Sequence, residues 1–470
     1  MSTDNIPDAM VGTNPGTYPP DDGLDGERYP TLSPAGAAIM RAMKTHPNAP
    51  LYRNRSGNRL LPDDLVRLRA FEDEVARSSP DWDPGRPPPW VPTFIERCYA
   101  TVPRWRALGS PPADILDVPT TCRADLARDV ASFVPDDIPV DRMINFRTTG
   151  TTGHPTLVPS LPAVAASYLA FHKKALRRFG VEPRAGRGRV GVVLVGWQAS
   201  CFTYVSVNPT MDESGLAKIN LDPADWRRPD DRSVYLEALD PEVLTGDPLS
   251  FSVLADLPVR IRPRALLSTS MTLLPGMRRR LEERFGCPVL DLYSLNESGP
   301  VAVADPGASA HVLLQHRLFV EILDADGLPV PAGARGEVTL TGGFNDCLPL
   351  LRYRTGDSAS IGRRGPDIVL VGLEGRAPVR FRLASGAFVN NIDATHALRS
   401  FALPRFALRQ ERDGSLVLSL PPGCEDTTPA LAAVRRLFAG LDVRLAELDP
   451  STPKVPQYSS ELPGAVEDPS

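Results

Sequence analysis

The sequence predicts a layered α/β protein in two folded parts. Two stretches share one grammar of amphipathic helix, glycine stop and apolar strand, and a third observation, a change of texture near Leu318, marks where β-hairpins take over. "VAASYLAFHKKALRRFG" has helical periodicity, Gly180 is placed to end it, and "RGRVGVVLVG" follows as a buried strand. "PGMRRRLEERFG" repeats this with Pro275 at a helix start and Gly286 past its end, before the strand "PVLDLY". Helices alternating with β-rich strands make a layered core.

From Leu318 onward, "LFVEILDADGLPVPAGARGEVTLTG" reads as two strands around an Asp-Gly turn, and "VRFRLASGAFVNN" and "RFALRQERDGSLVLSL" as further hairpins. Helical patterns cover Asp393 to Ser400 and Pro429 to Ala439. The expected organisation is a Pro/Gly/Asp-rich flexible arm (1–30), a large α/β domain (31–374), a small α+β domain (375–459) and a flexible tail (460–470). The leader segment "PDDLVRLRAFEDEVARS" is expected as an amphipathic helix, either solvated or serving dimer or partner contacts.

A chain of 470 residues exceeds one compact core, and 42% hydrophobic with 23% charged residues is a globular composition. A net charge of -5 and a pI near 5.8 argue against a general nucleic-acid partner. Apolar runs are far shorter than the roughly 20 residues a bilayer helix needs, so no membrane contact is expected. "MSTDNIPDAMVGTNPG" has neither basic n-region nor apolar h-region, which leads to the expectation of a cytoplasmic protein. The cysteines, at 98, 122, 201, 287, 347 and 424, form no C-x-x-C pair and read as reduced thiols. Lysine is scarce: it occurs only at Lys44, Lys173, Lys174, Lys218 and Lys454.

"RTTGTTGHPT", Arg147 to Thr156, combines glycines that let a backbone approach an oxyanion with threonine hydroxyls that add donors. No Gly-Lys-Ser/Thr follows, so it is not a Walker loop. Four further stretches follow in order: "DLYSLNE" (Asp291 to Glu297), "RYRTGD" (Arg352 to Asp357), "GR" (Gly375, Arg376) and "TPK" (Thr452 to Lys454). From about Pro92 to Lys454 this set resembles the adenylate-forming superfamily, and most closely its phenylacetate-CoA ligase branch, where threonine also stands at the position of Thr156. The resemblance implies a large multi-layer domain of the acyl-CoA synthetase type with a small mobile C-terminal domain.

It also implies roles. The triphosphate of ATP would lie over Thr148, Thr149, Gly150, Thr151, Thr152 and Gly153, with Thr149 also catalytic. Tyr293 would lie against adenine, with Ser270, Ser294 and Asn296 completing the nucleotide set. Glu297 would hold Mg²⁺, or else be a solvated surface acid. Asp357, expected in a tight Thr-Gly-Asp turn, would accept from both ribose hydroxyls and Arg376 would add a ribose or phosphate contact; either could instead be a structural ion pair. Lys454 would stabilise charge developing at the α-phosphate, or be an ordinary surface lysine.

Three departures stand out. The family's Y-G-x-[ST]-E becomes a stretch offering Ser294 and Asn296, and the ending "STPKVPQYSSEL" lacks the common G-K-x-x-R. Pro378 stands two positions after the Gly-Arg pair, where the family carries an aspartate or lysine hinge; its fixed φ removes torsional freedom and puts the rotation for the second half-reaction in question. In "VGWQASCFTY", Trp197, Phe202 and Tyr204 could line a slot for a flat ring or be core packing, and His154 is a bystander. The expected activity is MgATP-dependent adenylation of a small aromatic carboxylic acid in a biosynthetic setting, then acyl transfer to CoA. An amine, a carrier protein or nitrite activation are alternative outcomes, a non-catalytic nucleotide-binding relative is the competing class, and the chain would be a monomer or homodimer.

Overall fold

A computed structural model of the chain describes residues 26–147, 156–198, 201–305, 310–375, 379–449 and 455–462. Its centre is a 13-stranded sheet. One half is a doubly covered, largely parallel array in the order Tyr204–Asn208, Ser214–Asn220, Val190–Gly196, Val243–Gly246, Ala265–Ser268 and Val289–Leu295. Its inner strands are continuous apolar runs, as burial on both faces requires. The sheet then turns antiparallel through Gly299–Ala304, Ala310–Leu313, Asp367–Glu374, Leu350–Arg364, Gly336–Gly342 and Leu318–Leu323.

Both helix-stop-strand units form as read. Helix Pro162–Arg178 is followed by Gly180 at φ +71°, and helix Pro275–Phe285 ends on Gly286 at φ +65°, left-handed positions where glycine carries no Cβ penalty. The leader helix Pro62–Arg77 is neither solvated nor offered to a partner along its inner face. It packs on helix Pro162–Arg178 with Val75 fully buried, the rings of Phe71 and Phe171 5.7 Å apart and Glu72 ion-paired with buried Lys173. Tyr29, assigned to the flexible arm, is 4% exposed, and its hydroxyl lies 2.7 Å from Ser56 Oγ.

Strands Leu318–Leu323 and Gly336–Gly342 pair as expected, and the Asp-Gly turn forms between them: Gly327, at φ +77°, donates its N–H to the carbonyl of Asp324 at 3.2 Å. Asp324 accepts from Leu328 N and the chain folds back through a Leu323–Pro329 bridge, because Pro329 and Pro331 cannot donate ladder hydrogen bonds. Residues 379–460 carry the two expected hairpins, Arg380–Arg382 with Phe388–Asn390 and Ala407–Gln410 with Leu416–Leu420. Helices Asn391–Leu398 and Thr427–Leu437 each begin two residues before the expected start. Phe381, Phe438, Leu408 and Leu418 centre a separate core, which Leu274 enters from the large sheet's side. All six cysteines are free thiols, and among the described residues no helix is long and apolar enough to cross a membrane.

Candidate functional site

The C-terminal ends of parallel strands are where open α/β sheets bind ligands. Here those ends present Trp197 after Val190–Gly196, Ser270 after Ala265–Ser268 and Tyr293 within Val289–Leu295. Ser270 adopts φ +70°, uncommon for a residue with a side chain, and its Oγ lies 3.4 Å from Thr269 Oγ1.

After Leu295 the chain turns through Asn296, Glu297 and Ser298 and re-enters the sheet antiparallel at Gly299. Gly299 is required: its φ is +68° and a Cβ there would meet the Phe344 ring at 2.7 Å. This tight return holds Glu297 at 5% exposure, which excludes a solvated surface acid. Tyr353 donates its hydroxyl to Glu297 Oε1 at 3.2 Å, and Tyr168 donates to the carbonyl of Asn296 at 3.3 Å. Burial, and then the Glu297 charge, raise Tyr353 well above the usual tyrosine range and Tyr168 to about 12, so both hydroxyls stay protonated and can donate. Among the described residues no guanidinium or ammonium is paired with Glu297.

"RYRTGD" was expected to place Asp357 in a tight turn. The structure corrects this: the motif lies within strand Leu350–Arg364, and Asp357 follows a register irregularity at Gly356, φ +80°. The bulge is pinned by Gly356 N donating to Glu337 Oε1 (2.9 Å) and Thr355 Oγ1 accepting from Asp357 N (3.1 Å). Asp357 Oδ2 accepts the Tyr293 hydroxyl at 2.6 Å, so two residues singled out in the sequence meet across two strands. A Cβ on Gly375 would lie 3.5 Å from Asp357 Oδ1, which places Gly375 beside this carboxylate.

The two arginines of the motif face elsewhere. Arg352, 3% exposed, donates to the carbonyls of Val118 and Gly327 and pairs with Glu321; Arg354 pairs with Glu337 at 2.6 Å. Sequence reasoning therefore missed Tyr353 although it stood inside a quoted motif; strand alternation, which separates it from Arg352 and Arg354, was the available signal. Tyr168 carries no motif, and only its place on helix Pro162–Arg178 brings it to Glu297.

Phe202, 43% exposed, and half-buried Tyr204 have ring centroids 5.6 Å apart, while Trp197 packs against the core under the parallel strands. Ser294 is half-buried opposite Pro300 and Asn296 is exposed at the turn. Thr148 to Gly153, His154, Arg376, Pro378 and Lys454 lie outside the described residues; the strands flanking the threonine-rich loop, Ile144–Arg147 and Leu157–Ser160, pair antiparallel. No group of three or more metal-ligating side chains occurs among the described residues. A buried carboxylate such as Glu297, with one hydroxyl donor, still fits Mg²⁺, which is commonly bound by one or two carboxylates together with substrate phosphates.

No family model matches the chain. It is 23% identical over 292 residues to phenylacetate-coenzyme A ligase of Escherichia coli, covering 56% of this chain and 63% of that protein. It is 25% identical over 278 residues to the Thermus thermophilus protein of the same name, covering 52% and 56%. The chain thus spans less than two thirds of the length of these relatives. The crystal structure of 2-hydroxyisobutyryl-CoA ligase in the postadenylation state, in complex with 2-HIB-AMP, superposes with a TM-score of 0.56 at 16% identity, over 84% of this chain and 88% of that one. The likeness to phenylacetate-coenzyme A ligases therefore rests on sequence over about half the chain, and the likeness to 2-hydroxyisobutyryl-CoA ligase is one of fold over most of it.

Proposed function

We propose that the chain is an AMP-forming ligase that uses MgATP to adenylate a small aromatic carboxylic acid, releases pyrophosphate and passes the acyl group to the thiol of CoA. The observation that carries this reading is the pairing, on two motifs, of a Tyr293–Asp357 hydrogen bond with a buried Glu297 that accepts from Tyr353 and has no cation paired with it among the described residues. The named relatives and the fold support it.

In this reading Asp357 accepts hydrogen bonds from the ribose hydroxyls, held in place by Tyr293, whose ring lies against adenine. Glu297 would hold Mg²⁺, which supplies charge neutralisation to the phosphates. Thr148 to Gly153 cradle the triphosphate, Ser270, Ser294 and Asn296 border the nucleotide, and Arg376 contacts ribose or phosphate. A carboxylate oxygen of the acid attacks the α-phosphorus, the bond to pyrophosphate breaks, and Lys454 stabilises charge on the α-phosphate oxygens. A thiolate sulfur then attacks the acyl carbon and AMP leaves.

The test is pyrophosphate release with MgATP against aryl, heteroaryl and aliphatic acids and nitrite, with and without CoA and simple amines. Release that depends on an aromatic acid and rises with CoA is expected. Release driven by nitrite or raised by amines would replace the substrate or acceptor. Silence across the panel with ATP still bound would make the chain a non-catalytic nucleotide-binding relative.

A further inference from the structure

The segment Leu51 to Arg59, "LYRNRSGNR", is neither helix nor strand, yet its side chains alternate between half-buried and exposed. It runs beside Tyr204–Asn208, the terminal strand of the large sheet, and covers that edge through side chains rather than a ladder. Ser56 Oγ donates to the carbonyl of Val205 at 2.6 Å, and Asn54 Oδ1 accepts from Thr203 N at 3.0 Å. Thr203 is 1% exposed and sits between Phe202 and Tyr204, the two rings in contact at the candidate acid pocket.

The same segment reaches the other end of this loop. Arg53 Nη2 lies 2.9 Å from Asp225 Oδ1, and Asp225 Oδ2 accepts from Asn220 Nδ2 at 2.6 Å. Asn220 is fully buried and grips Gln198 twice: its Nδ2 donates to the carbonyl of Gln198 at 2.8 Å and its Oδ1 accepts from Gln198 N at 3.1 Å. Gln198 follows Trp197 directly. Leu51 N also donates to the carbonyl of Asp225 at 2.7 Å, which ties this segment to the network by backbone as well as by charge.

We infer that Arg53 and Asn54 are positioning residues that clamp both ends of the Trp197–Tyr204 stretch, so that the segment Leu51 to Arg59 sets which acid the pocket accepts. Phe202 is exposed and packs on Tyr204, so its place depends on the backbone at Thr203, which Asn54 fixes. Removing Asn54 leaves a buried N–H without that acceptor, and removing Arg53 leaves the Asp225 carboxylate without its guanidinium. The pocket assignment rests on the adenylation reading; the clamp itself does not.

The experiment uses the full chain carrying Asn54→Ala, Arg53→Gln or the rescue variant Asn54→Asp, which keeps an acceptor oxygen. Hydrogen exchange of the peptides spanning 197–206 should speed up about tenfold in Asn54→Ala and Arg53→Gln, return toward wild type in Asn54→Asp, and stay unchanged in Val289–Leu295. With the acid that drives pyrophosphate release, KM for the acid should rise about tenfold and the preference among ring-substituted acids should narrow, with KM for ATP within about twofold. Unaltered exchange in both variants overturns the clamp. Faster exchange with an unchanged acid KM and preference overturns the selectivity role. A wild type that releases no pyrophosphate with any acid overturns the adenylation reading and the selectivity role with it, while exchange still decides the clamp.

Discussion

Tyr293 and Asp357 come from strands far apart in sequence, and their hydrogen bond makes each dependent on the other. Asp357→Ala is expected to weaken ATP binding about ten- to hundredfold, the scale for hydrogen bonds to a charged group, and Tyr293→Phe to weaken it less because the carboxylate remains. Isothermal titration with ATP checks both, and wild-type affinity in Asp357→Ala would remove the ribose role. Tyr353 makes a pH-dependent claim. Its pKa is raised above the unfolded value, so its contribution is fully present below the usual tyrosine range near 10 and is lost as pH rises beyond it. Tyr353→Phe should therefore flatten the alkaline arm of the stability curve, measured by denaturant melts from pH 8 upward. At this scale Glu297 and Asp357 stood out in the sequence because each ends a recognisable motif, and Tyr293 because it lies inside one. Tyr168 was not, since a helix residue without a motif acquires its neighbours only when helix and sheet are packed.

Among the elements, the leader helix Pro62–Arg77 depends on Asp64, which accepts from Leu61 N at 2.8 Å and pairs with Arg142 at 2.6 Å. Burial pushes this carboxyl upward, but the hydrogen bonds from Arg142 and Leu61 outweigh it and leave the pKa lowered. A lowered folded pKa means stability present above the ordinary carboxylate range and lost as pH falls through it. Asp64→Ala is expected to cost about 1 to 2 kcal/mol at neutral pH, and less at pH 3, when thermal or urea unfolding is compared. Gly276 joins the two cores: its N–H donates to the carbonyl of Arg399 at 2.9 Å, and an added Cβ would lie 2.3 Å from the carbonyl oxygen of Phe401. Gly276→Val should displace the turn after helix Asn391–Leu398, read as faster proteolysis within residues 398–405 with little change in the large sheet. Hairpins and helix stops were legible because glycine and apolar alternation act locally. The leader helix's partner was not, because an amphipathic stripe says that a face is covered and not by what.

On the scale of the whole molecule, the alternating helix and strand grammar was sufficient to read an α/β sheet followed by a β-rich part, but not the continuation of one sheet through the antiparallel half. That continuity depends on the turn at Glu297, where the parallel strands end and the chain reverses. The reversal seats Tyr293 and the buried carboxylate together, and the bulged strand Leu350–Arg364 brings Tyr353 and Asp357 to them. Lys454→Ala is expected to lower adenylation by about two to three orders of magnitude with ATP affinity nearly intact, and an unchanged rate would remove it from the mechanism.

The most direct test of the central claim is a quenched single turnover of the full chain with MgATP and its preferred acid, without acceptor, read by mass spectrometry. Pyrophosphate together with a mixed anhydride of the acid and AMP is expected, with loss of both in Glu297→Gln. Formation of ADP with an acyl phosphate, or turnover that survives Glu297→Gln unchanged, would contradict it.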